Sequence, residues 1–185
     1  MEISDIRRRL EEHHGSSFGW ALSCCRRNRA EAEELLQLVY LKILEGKARY
    51  RGESSFKTWL FAVIRRTAAN ERRKGLLRGL LVARGSKVVS PRLQNVNPLA
   101  ELEESERLSR FKEALDKLSD RQREILHLVM YQELTLQETA EVIGISIGAV
   151  RQHYARAKKR LRELLTYEKN HGLEWRREKN PSAVS

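Results

Sequence analysis

The side chains best suited to read nucleic acid lie in a basic segment near the carboxyl end of the chain. Residues 151–162 (RQHYARAKKRLR) contain six basic side chains and no acid. An arginine can pair bidentately with guanine and a glutamine with adenine, while Lys and Arg side chains further along a helix bind phosphates. Arg151 and Gln152 are therefore candidate base-reading residues, and Arg156 and Lys158 are expected to point outward with them.

A second basic segment, residues 65–74 (RRTAANERRK), carries five basic side chains and one acid. Small residues among its arginines would let a phosphate backbone or a flat base approach closely. For Trp59, at the edge of the apolar arc of this helix, anchoring in the core is favoured over stacking on a base. Two basic segments in different halves indicate two contact surfaces, and solvated helix faces are the plainer alternative.

The composition of the whole chain agrees with a polyanionic partner. The chain has 185 residues, a formal charge of +11 and a pI near 10.0. This balance indicates nucleic acid or an anionic membrane surface. Only 41% of the residues are hydrophobic, and three Pro and ten Gly argue against a β-sandwich. One domain or two small helical domains with thin cores are expected.

The cysteines and the amino terminus predict a cytoplasmic protein. Cys24 and Cys25 are adjacent and have no metal-binding spacing, so they are interpreted as small half-buried residues in a reducing compartment. The amino-terminal sequence lacks the apolar run of a signal peptide, and no segment has the roughly 18 apolar residues that span a bilayer. No cofactor, metal site or membrane insertion is expected.

In the first half, hydrophobic periodicity predicts two helices and then a linker. One helix covers residues 30–45, and its outer face mixes acids, amides and leucines, which suits either a partner or a second internal contact. Ser54 or Ser55 caps the next helix, which is expected over residues 56–74. Residues 75–106, with three Gly and two Pro, are expected to be a linker with a short helix near residues 76–82.

The second half predicts a helix-turn-helix. Ser119–Gln122 and Thr135–Glu138 have the spacing of capping boxes, Gly144 ends a helix, and Ser146 caps the next one. Thr135 and Gln137 open the first helix and can bind a DNA backbone beside its N-terminus. In this motif the second helix enters the major groove. The alternative is a basic helical hairpin that binds protein or RNA.

Both halves resemble bacterial RNA polymerase sigma factors of the extracytoplasmic-function (ECF) group. The similar stretches are AEELLQLVYLKIL, YRGESSFKTWLFAVIRR and the run from LSDRQREILHLVM to ARAKKRL. They cover about residues 15–75 and 107–165, in the order the family has them. Two matches at the expected separation are more specific than a helix-turn-helix alone.

The resemblance implies an all-α fold of two small helical domains joined by a flexible linker, the second domain containing the helix-turn-helix. Residues 1–75 would bind the polymerase and the minus-ten promoter element. Residues 76–106 would form the linker, residues 107–166 would read the minus-thirty-five element, and residues 167–185 would be a disordered tail.

The resemblance also assigns residues to each contact. The clamp helices of the largest catalytic polymerase subunit would bind Glu33, Glu34, Gln37, Tyr40 and Leu41. The minus-ten element would bind Lys57, Trp59, Arg65, Arg66, Asn70 and Arg73. The upstream element would bind Thr135, Gln137, Arg151, Gln152, His153, Arg156 and Lys158. Family members are often controlled by a membrane-associated anti-sigma factor, so such a partner is expected as well.

Four positions depart from the pattern of this family. Arg66 and Asn70 stand where Asn and Asp are common, which adds positive charge and makes the minus-ten preference uncertain. His153 stands where Arg is usual and Gln152 where Ser is frequent, so the upstream sequence read can differ from the common family element.

The predicted function is a promoter-specificity subunit without catalysis of its own. The alternative is an autonomous helix-turn-helix regulator, which would leave residues 30–74 unexplained. A third interpretation is a nucleic-acid enzyme. The sequence argues against it, because it contains no His–carboxylate cluster and no Walker loop.

Overall fold

The structure is a computed structural model that describes residues 2–82, 109 and 111–179. The described residues form helices and contain no strand, as the predicted all-α class requires. The α-helices are α1 (Ile3–Glu12), α2 (His14–Cys24), α3 (Arg29–Leu44), α4 (Phe56–Val82), α5 (residues 111–116), α6 (Asp120–Leu126), α7 (Leu136–Ile143) and α8 (Ile147–Lys179). A π-helix (His127–Tyr131) continues directly from α6.

The chain divides into two compact units. The first combines the described residues of Met1–Asn95 with His127–Val150, and the second combines those of Val96–Leu126 with Arg151–Ser185. The first unit therefore contains a segment from each half of the sequence. We call His127–Val150 the return segment, because it comes back to the amino-terminal helices.

The core of the first unit forms where α2, α3 and α4 meet. Trp20, Val39, Leu60, Phe61 and Ile64 have no measurable exposure there. The buried indole Nε1 of Trp20 donates a hydrogen bond of 3.0 Å to the carbonyl oxygen of Phe61. This bond fixes α2 against α4, because a buried indole N–H without an acceptor would be costly.

The second unit has a smaller core. Leu118 and Leu126 are buried with Ala157 of α8, and three partly buried side chains pack around them, those of Leu115, Tyr154 and Leu161. Tyr154, Ala157 and Leu161 are spaced three and four apart, so they form the apolar stripe of α8 that periodicity predicted.

The predicted caps are confirmed. Thr135 and Glu138 form a complete capping box on α7, and Gly144 ends that helix with φ of 70°. The amide of Ala149 donates to Ser146 Oγ at 3.2 Å. Ser119 makes the reciprocal pair with Gln122 at 3.1 and 3.3 Å. Local sequence thus determines where the helices around the turn begin and end.

Two helices are longer than predicted. α4 continues from residue 74 to Val82, through Gly75 and Gly79, so the short helix expected near residues 76–82 of the linker is the end of α4. α8 continues to Lys179, although residues from 167 onward were expected to be a disordered tail. A glycine costs a helix only about 1 kcal/mol, and Pro181 is the first proline after Pro98. Residues 83–106 of the predicted linker and 180–185 of the tail lie outside the described residues.

Neither cysteine forms a disulfide: Cys24 is buried, and Cys25 is half-buried. Burial raises the pKa of the Cys25 thiol to about 11, so this thiol stays protonated and unreactive at neutral pH. Of the helices in the described ranges, none combines the length and apolarity needed to cross a bilayer.

Candidate functional site

The five residues predicted to bind polymerase lie on one face of α3. At about 100° per residue, Glu33, Glu34, Gln37, Tyr40 and Leu41 fall within an arc of about 120°. All except Tyr40 are exposed, and Leu41 exposes 53% of its surface. The side chains that hold α3 in the core lie on other arcs and are buried, among them Leu35, Val39 and Ile43. An exposed leucine among acids suits a partner whose surface is both apolar and basic.

Tyr40 connects this face to α2. A hydrogen bond of 3.2 Å joins its hydroxyl to Nδ1 of His14. Burial raises the pKa of the Tyr40 hydroxyl, so it remains a neutral group. A shallow pocket opens beside Tyr40, between α2 and α3, with Phe18, Leu36 and Gln37 in its wall. The face therefore has a depression next to the protruding Leu41.

α4 begins at a serine cap and an aromatic cluster. Ser55 Oγ accepts the amide of Thr58 at 3.1 Å, as predicted for one of the two serines. Trp59 packs against Tyr50 and Phe56 with ring centroids 5.4 and 5.2 Å apart. Trp59 is half-buried, so one part of its indole anchors the loop before α4 and the other part is accessible.

The predicted minus-ten residues occupy two arcs of α4. Trp59, Arg66, Asn70 and Arg73 fall within about 60° of one another, and the last three are exposed. We call these four residues the open stripe. It combines a half-buried indole with two exposed guanidinium groups, a combination that suits stacking on a base beside a phosphate backbone.

Lys57 and Arg65 lie on a separate arc, largely on the other side of α4, and both bind the return segment. Lys57 Nζ donates to the carbonyl oxygen of Gln132 at 2.7 Å. Arg65 Nη1 donates to the carbonyl oxygen of Ile143 at 3.0 Å. The structure thus brings four of the six residues together and separates the other two from them.

Thr58 and Glu138 add a third polar contact between α4 and the return segment. The hydroxyl of Thr58 donates to Oε1 of Glu138 at 3.3 Å. The other carboxylate oxygen of Glu138 accepts the amide of Thr135, and this backbone bond is the main cause of its lowered pKa. Glu138 therefore caps α7 and holds α7 to α4 with one ionised carboxylate.

His127 and Gln132 complete the contact from the side of α2. The His127 ring stacks on Trp20 with centroids 5.4 Å apart. Gln132 is buried, and its Nε2 donates to the carbonyl oxygen of Ser16 at 3.3 Å. Sequence analysis missed both residues. The one available signal was a Gln and a His among apolar residues in HLVMYQEL, where a polar side chain needs a partner.

The first helix of the helix-turn-helix presents two of the predicted DNA contacts. Thr135 and Gln137 are both exposed. The Thr135 hydroxyl accepts the amide of Glu138 at 3.1 Å and bonds its carboxylate at 2.8 Å, so it serves the cap. Gln137 Nε2 lies 3.4 Å from a carboxylate oxygen of Glu141, a long bond that a DNA phosphate could replace.

The remaining predicted DNA contacts lie on α8, within the second unit. Arg151, Gln152, Arg156 and Lys158 are exposed, and His153 is half-buried. Lys158 Nζ lies 4.6 Å from the centroid of the Tyr154 ring, in a cation–π contact. The first residues of this series are therefore accessible for base contacts, and the later ones for phosphates.

Two family profiles match separate parts of the sequence. "Sigma-70 region 2" matches residues 10–76, and "Sigma-70, region 4" matches residues 114–163. The first range contains α2, α3 and most of α4, and the second contains the helix-turn-helix. The match to region 4 therefore includes the return segment, although the fold places that segment with the helices of region 2.

Similar proteins match most of the chain. RNA polymerase sigma factor YlaC of Bacillus subtilis is 28% identical over 73% of this chain and 78% of its own length. ECF RNA polymerase sigma factor EcfG of Rhodopseudomonas palustris is 30% identical over 75% and 73%. The sigma factor RpoE of Bartonella quintana, solved in complex with the anti-sigma factor NepR, has a TM-score of 0.69 and 26% identity, covering 88% of this chain and 97% of RpoE.

Proposed function

Because the chain belongs to the ECF group of RNA polymerase sigma factors, we propose that its exposed surfaces each make a distinct contact during transcription initiation. The protein is a sigma factor that works with core RNA polymerase and promoter DNA. The proposal concerns which residues make each contact. We also infer that it acts in the cytoplasm, with the polymerase and the promoter, and that it contributes no catalysis of its own.

The polymerase contact is assigned to the outer face of α3, and this face is the observation that carries the proposal. Its exposed acids suit a basic partner, and Leu41 protrudes beside a depression at Tyr40. The clamp helices of the largest catalytic subunit, which the family resemblance implies, would place their own apolar side chains there.

The minus-ten contact is assigned to α4. The open stripe would stack an unpaired base on Trp59 and bind the strand through Arg66 and Arg73. Stacking on an aromatic ring selects single-stranded over duplex DNA, which favours a melted promoter. Lys57 and Arg65, on their separate arc, would bind phosphates once their protein partners release them.

The upstream contact is assigned to α7 and α8. Arg151, Gln152 and His153 would face base edges in the major groove of the minus-thirty-five element, and Arg156 and Lys158 would bind phosphates. Thr135 and Gln137 would approach the backbone beside the N-terminus of α7.

An anti-sigma factor is proposed as a further partner. RpoE, to which this chain is similar over most of its length, was solved with the anti-sigma factor NepR. An autonomous regulator is not favoured, because residues 10–76 match sigma region 2 and such a regulator has no use for that region.

The assignment of α3 is tested by Leu41→Glu. Adding a buried charge to an apolar contact is expected to weaken binding of core polymerase at least tenfold and to abolish specific run-off transcripts. Affinity is measured by fluorescence anisotropy with labelled protein, and circular dichroism checks that the fold is unchanged.

Ile3→Glu is the matched control, since Ile3 exposes 57% of its surface and belongs to α1 rather than to the predicted face of α3. It should leave polymerase binding unchanged. Equal losses in the two variants, or none in Leu41→Glu, would move the polymerase contact away from α3.

A further inference from the structure

The turn between α2 and α3 holds two arginines in a strained backbone conformation. Arg26 and Arg27 have φ of 51° and 65°, in the left-handed region that residues other than glycine rarely adopt. The amide of Arg27 donates to the carbonyl oxygen of Leu22 at 2.8 Å, a bond that commonly closes a helix beside a left-handed glycine. Glycine would make the same turn without strain. A turn that keeps two arginines there indicates that their side chains have a use.

The side chains of Arg26 and Arg27 are exposed, and α3 does not need them in order to begin. The cap of α3 is made by Asn28, whose side chain accepts the amide of Glu31 at 3.3 Å. A guanidinium has five N–H donors, so an exposed arginine can bind a phosphate together with any protein group that it contacts. The two arginines are therefore candidates for an external anionic ligand.

A third arginine, from α4, lies on the side of that helix that faces α2. Arg72 follows Phe61 by eleven residues, so at about 100° per residue the two lie within about 20° of one another. Phe61 is the residue of α4 whose carbonyl oxygen binds Trp20 of α2. Arg72 therefore extends from the same side of α4, about 16 Å further along the helix.

The charge of Arg72 reaches the end of α2. Burial and the Glu31 carboxylate raise the pKa of the Cys25 thiol, whereas the guanidinium of Arg72 lowers it. Because Coulomb interactions weaken with distance and with salt, Arg72 and the last turn of α2 are neighbours. Arg72 is also exposed. We call three residues, Arg26, Arg27 and Arg72, the turn cluster.

The position of the turn cluster suits the backbone of duplex DNA. Arg72 follows Trp59 by thirteen residues on α4, which is a distance of about 20 Å along the helix. Each base pair of B-DNA rises about 3.4 Å, so this distance corresponds to about six base pairs from a base stacked on Trp59. DNA at that distance from the unstacked base can remain paired. The cluster offers guanidinium groups rather than rings, which suits phosphates rather than stacking.

We propose that the turn cluster is a phosphate-binding site for the duplex part of promoter DNA, beside the single strand bound by the open stripe. The inference deepens the proposed DNA role of α4 and rests on it. It assigns a DNA contact to Arg26 and Arg27, which lie outside α4. The site adds affinity without sequence preference, because the phosphates are the same at every base pair.

Two labelled DNA probes of mixed sequence test the site with the full-length chain. One is a single strand of 15 nucleotides, and the other is a fork that carries 12 base pairs of duplex at one end of the same strand. Arg26→Gly/Arg27→Gly should weaken binding of the fork about tenfold and leave binding of the single strand unchanged. It should also lower the slope of log K against log salt for the fork by about 2, since each phosphate contact contributes about 0.9.

Glycine is the chosen replacement because it separates DNA binding from folding. It relieves the left-handed strain at both positions, so the urea midpoint of the double variant should rise. A purely structural role would not combine a higher midpoint with weaker binding of the fork. If the midpoint falls instead, Arg26→Lys/Arg27→Lys decides, because it keeps both charges. It should retain the salt slope of the wild type, and a lost slope would overturn the proposal.

Arg7→Ala/Arg8→Ala is the matched control for net charge. It removes two charges from exposed residues of α1, the helix that precedes the other end of α2. Binding of the fork should be unchanged in this control. The proposal is overturned by equal losses in the control and in Arg26→Gly/Arg27→Gly, or by no loss in the glycine variant. Equal weakening of both probes by the glycine variant also overturns it, because the site would then not be specific for duplex DNA.

Arg66→Ala separates this inference from the proposed function. Arg66 is exposed on the open stripe, and its loss should weaken binding of both probes. If it does so while Arg26→Gly/Arg27→Gly leaves the fork unaffected, only the turn cluster is wrong. If Arg66→Ala affects neither probe while the glycine variant weakens the fork, the assignment of the minus-ten strand to α4 fails and the turn cluster remains a duplex contact.

Discussion

Two classes of basic side chain can be distinguished at the scale of single residues. Lys57 and Arg65 donate to backbone carbonyls of the return segment, whereas Arg66, Arg73 and Arg151 are exposed. A guanidinium or ammonium group already bound to protein must break that bond before it can bind a phosphate. The residues of the second class are therefore expected to contribute to DNA binding without any prior change in the fold.

Arg151 is expected to read a base. Arg151→Ala should cost about 1–3 kcal/mol on the preferred promoter and relax the preference at one base pair of the upstream element. The measurement is the affinity for a set of duplexes, each carrying one substituted pair. A uniform loss on every duplex would mean that Arg151 binds the phosphate backbone instead.

His127 is expected to make stability depend on pH. Burial lowers the pKa of His127 to about 4, so the unfolded chain binds more protons than the folded one between about pH 6.5 and 4. As far as His127 is concerned, the free energy of unfolding should therefore have its full value above pH 6.5. It should decrease as the pH falls from about 6.5 to about 4. The contribution of this one group is at most about 3 kcal/mol.

Urea denaturation at several pH values measures this slope. His127→Gln should flatten it, and His153→Gln, on α8 outside the contact with Trp20, should leave it as in the wild type. A slope that His127→Gln does not change would assign the acid sensitivity to other groups.

At the scale of the helices, two glycines affect stability, one at the end of α7 and one at the start of α8. Gly144 has φ of 70° and Gly148 lies in the first turn of α8. Gly144→Ala should therefore lower the free energy of unfolding by about 1 kcal/mol, because a side chain is disfavoured in the left-handed region. Gly148→Ala should raise it by up to about 1 kcal/mol, because alanine favours a helix. Opposite signs in urea denaturation support both assignments, and a loss in both variants would contradict them.

The sequence predicts where the helices around the turn are capped, but it does not predict where α4 and α8 end. Caps were predictable because Thr135, Glu138 and Gly144 act within a few residues of one another. The ends of α4 and α8 were not, because a glycine lowers the stability of a helix without forbidding it, and tertiary contacts decide.

The contact between the return segment and α4 could not be predicted for a different reason. Gln132 and Ile143 accept hydrogen bonds through backbone carbonyls, which every residue has, so their sequence carries no signal for the contact. The donor Lys57 lies 75 residues from Gln132 in the chain. The exposure of most basic side chains was expected from composition and periodicity. The use of the α3 face as a polymerase contact was expected only from the family resemblance, and it stays a prediction.

For the whole molecule, the net charge of +11 predicts DNA binding that weakens with salt. Lys158 lies on the exposed side of α8 and is expected to bind a phosphate. Lys158→Ala should lower the slope of log K against log salt by about 1 and weaken all sequences equally. Arg151→Ala is the contrasting variant, because it should change preference among sequences. An altered preference in Lys158→Ala would make that residue a base contact.

The π-helix has a consequence for how this chain can vary over evolutionary time. The amide of Gln132 bonds the carbonyl of His127, five residues earlier, at 3.0 Å. Such a turn contains one residue more than an α-helical turn. Deleting one residue from it would restore the ordinary repeat and rotate the residues after the turn by about 100°, so the Gln132 carbonyl would no longer face Lys57. The loss of a single codon would then be enough to remove the bond between Lys57 and the return segment.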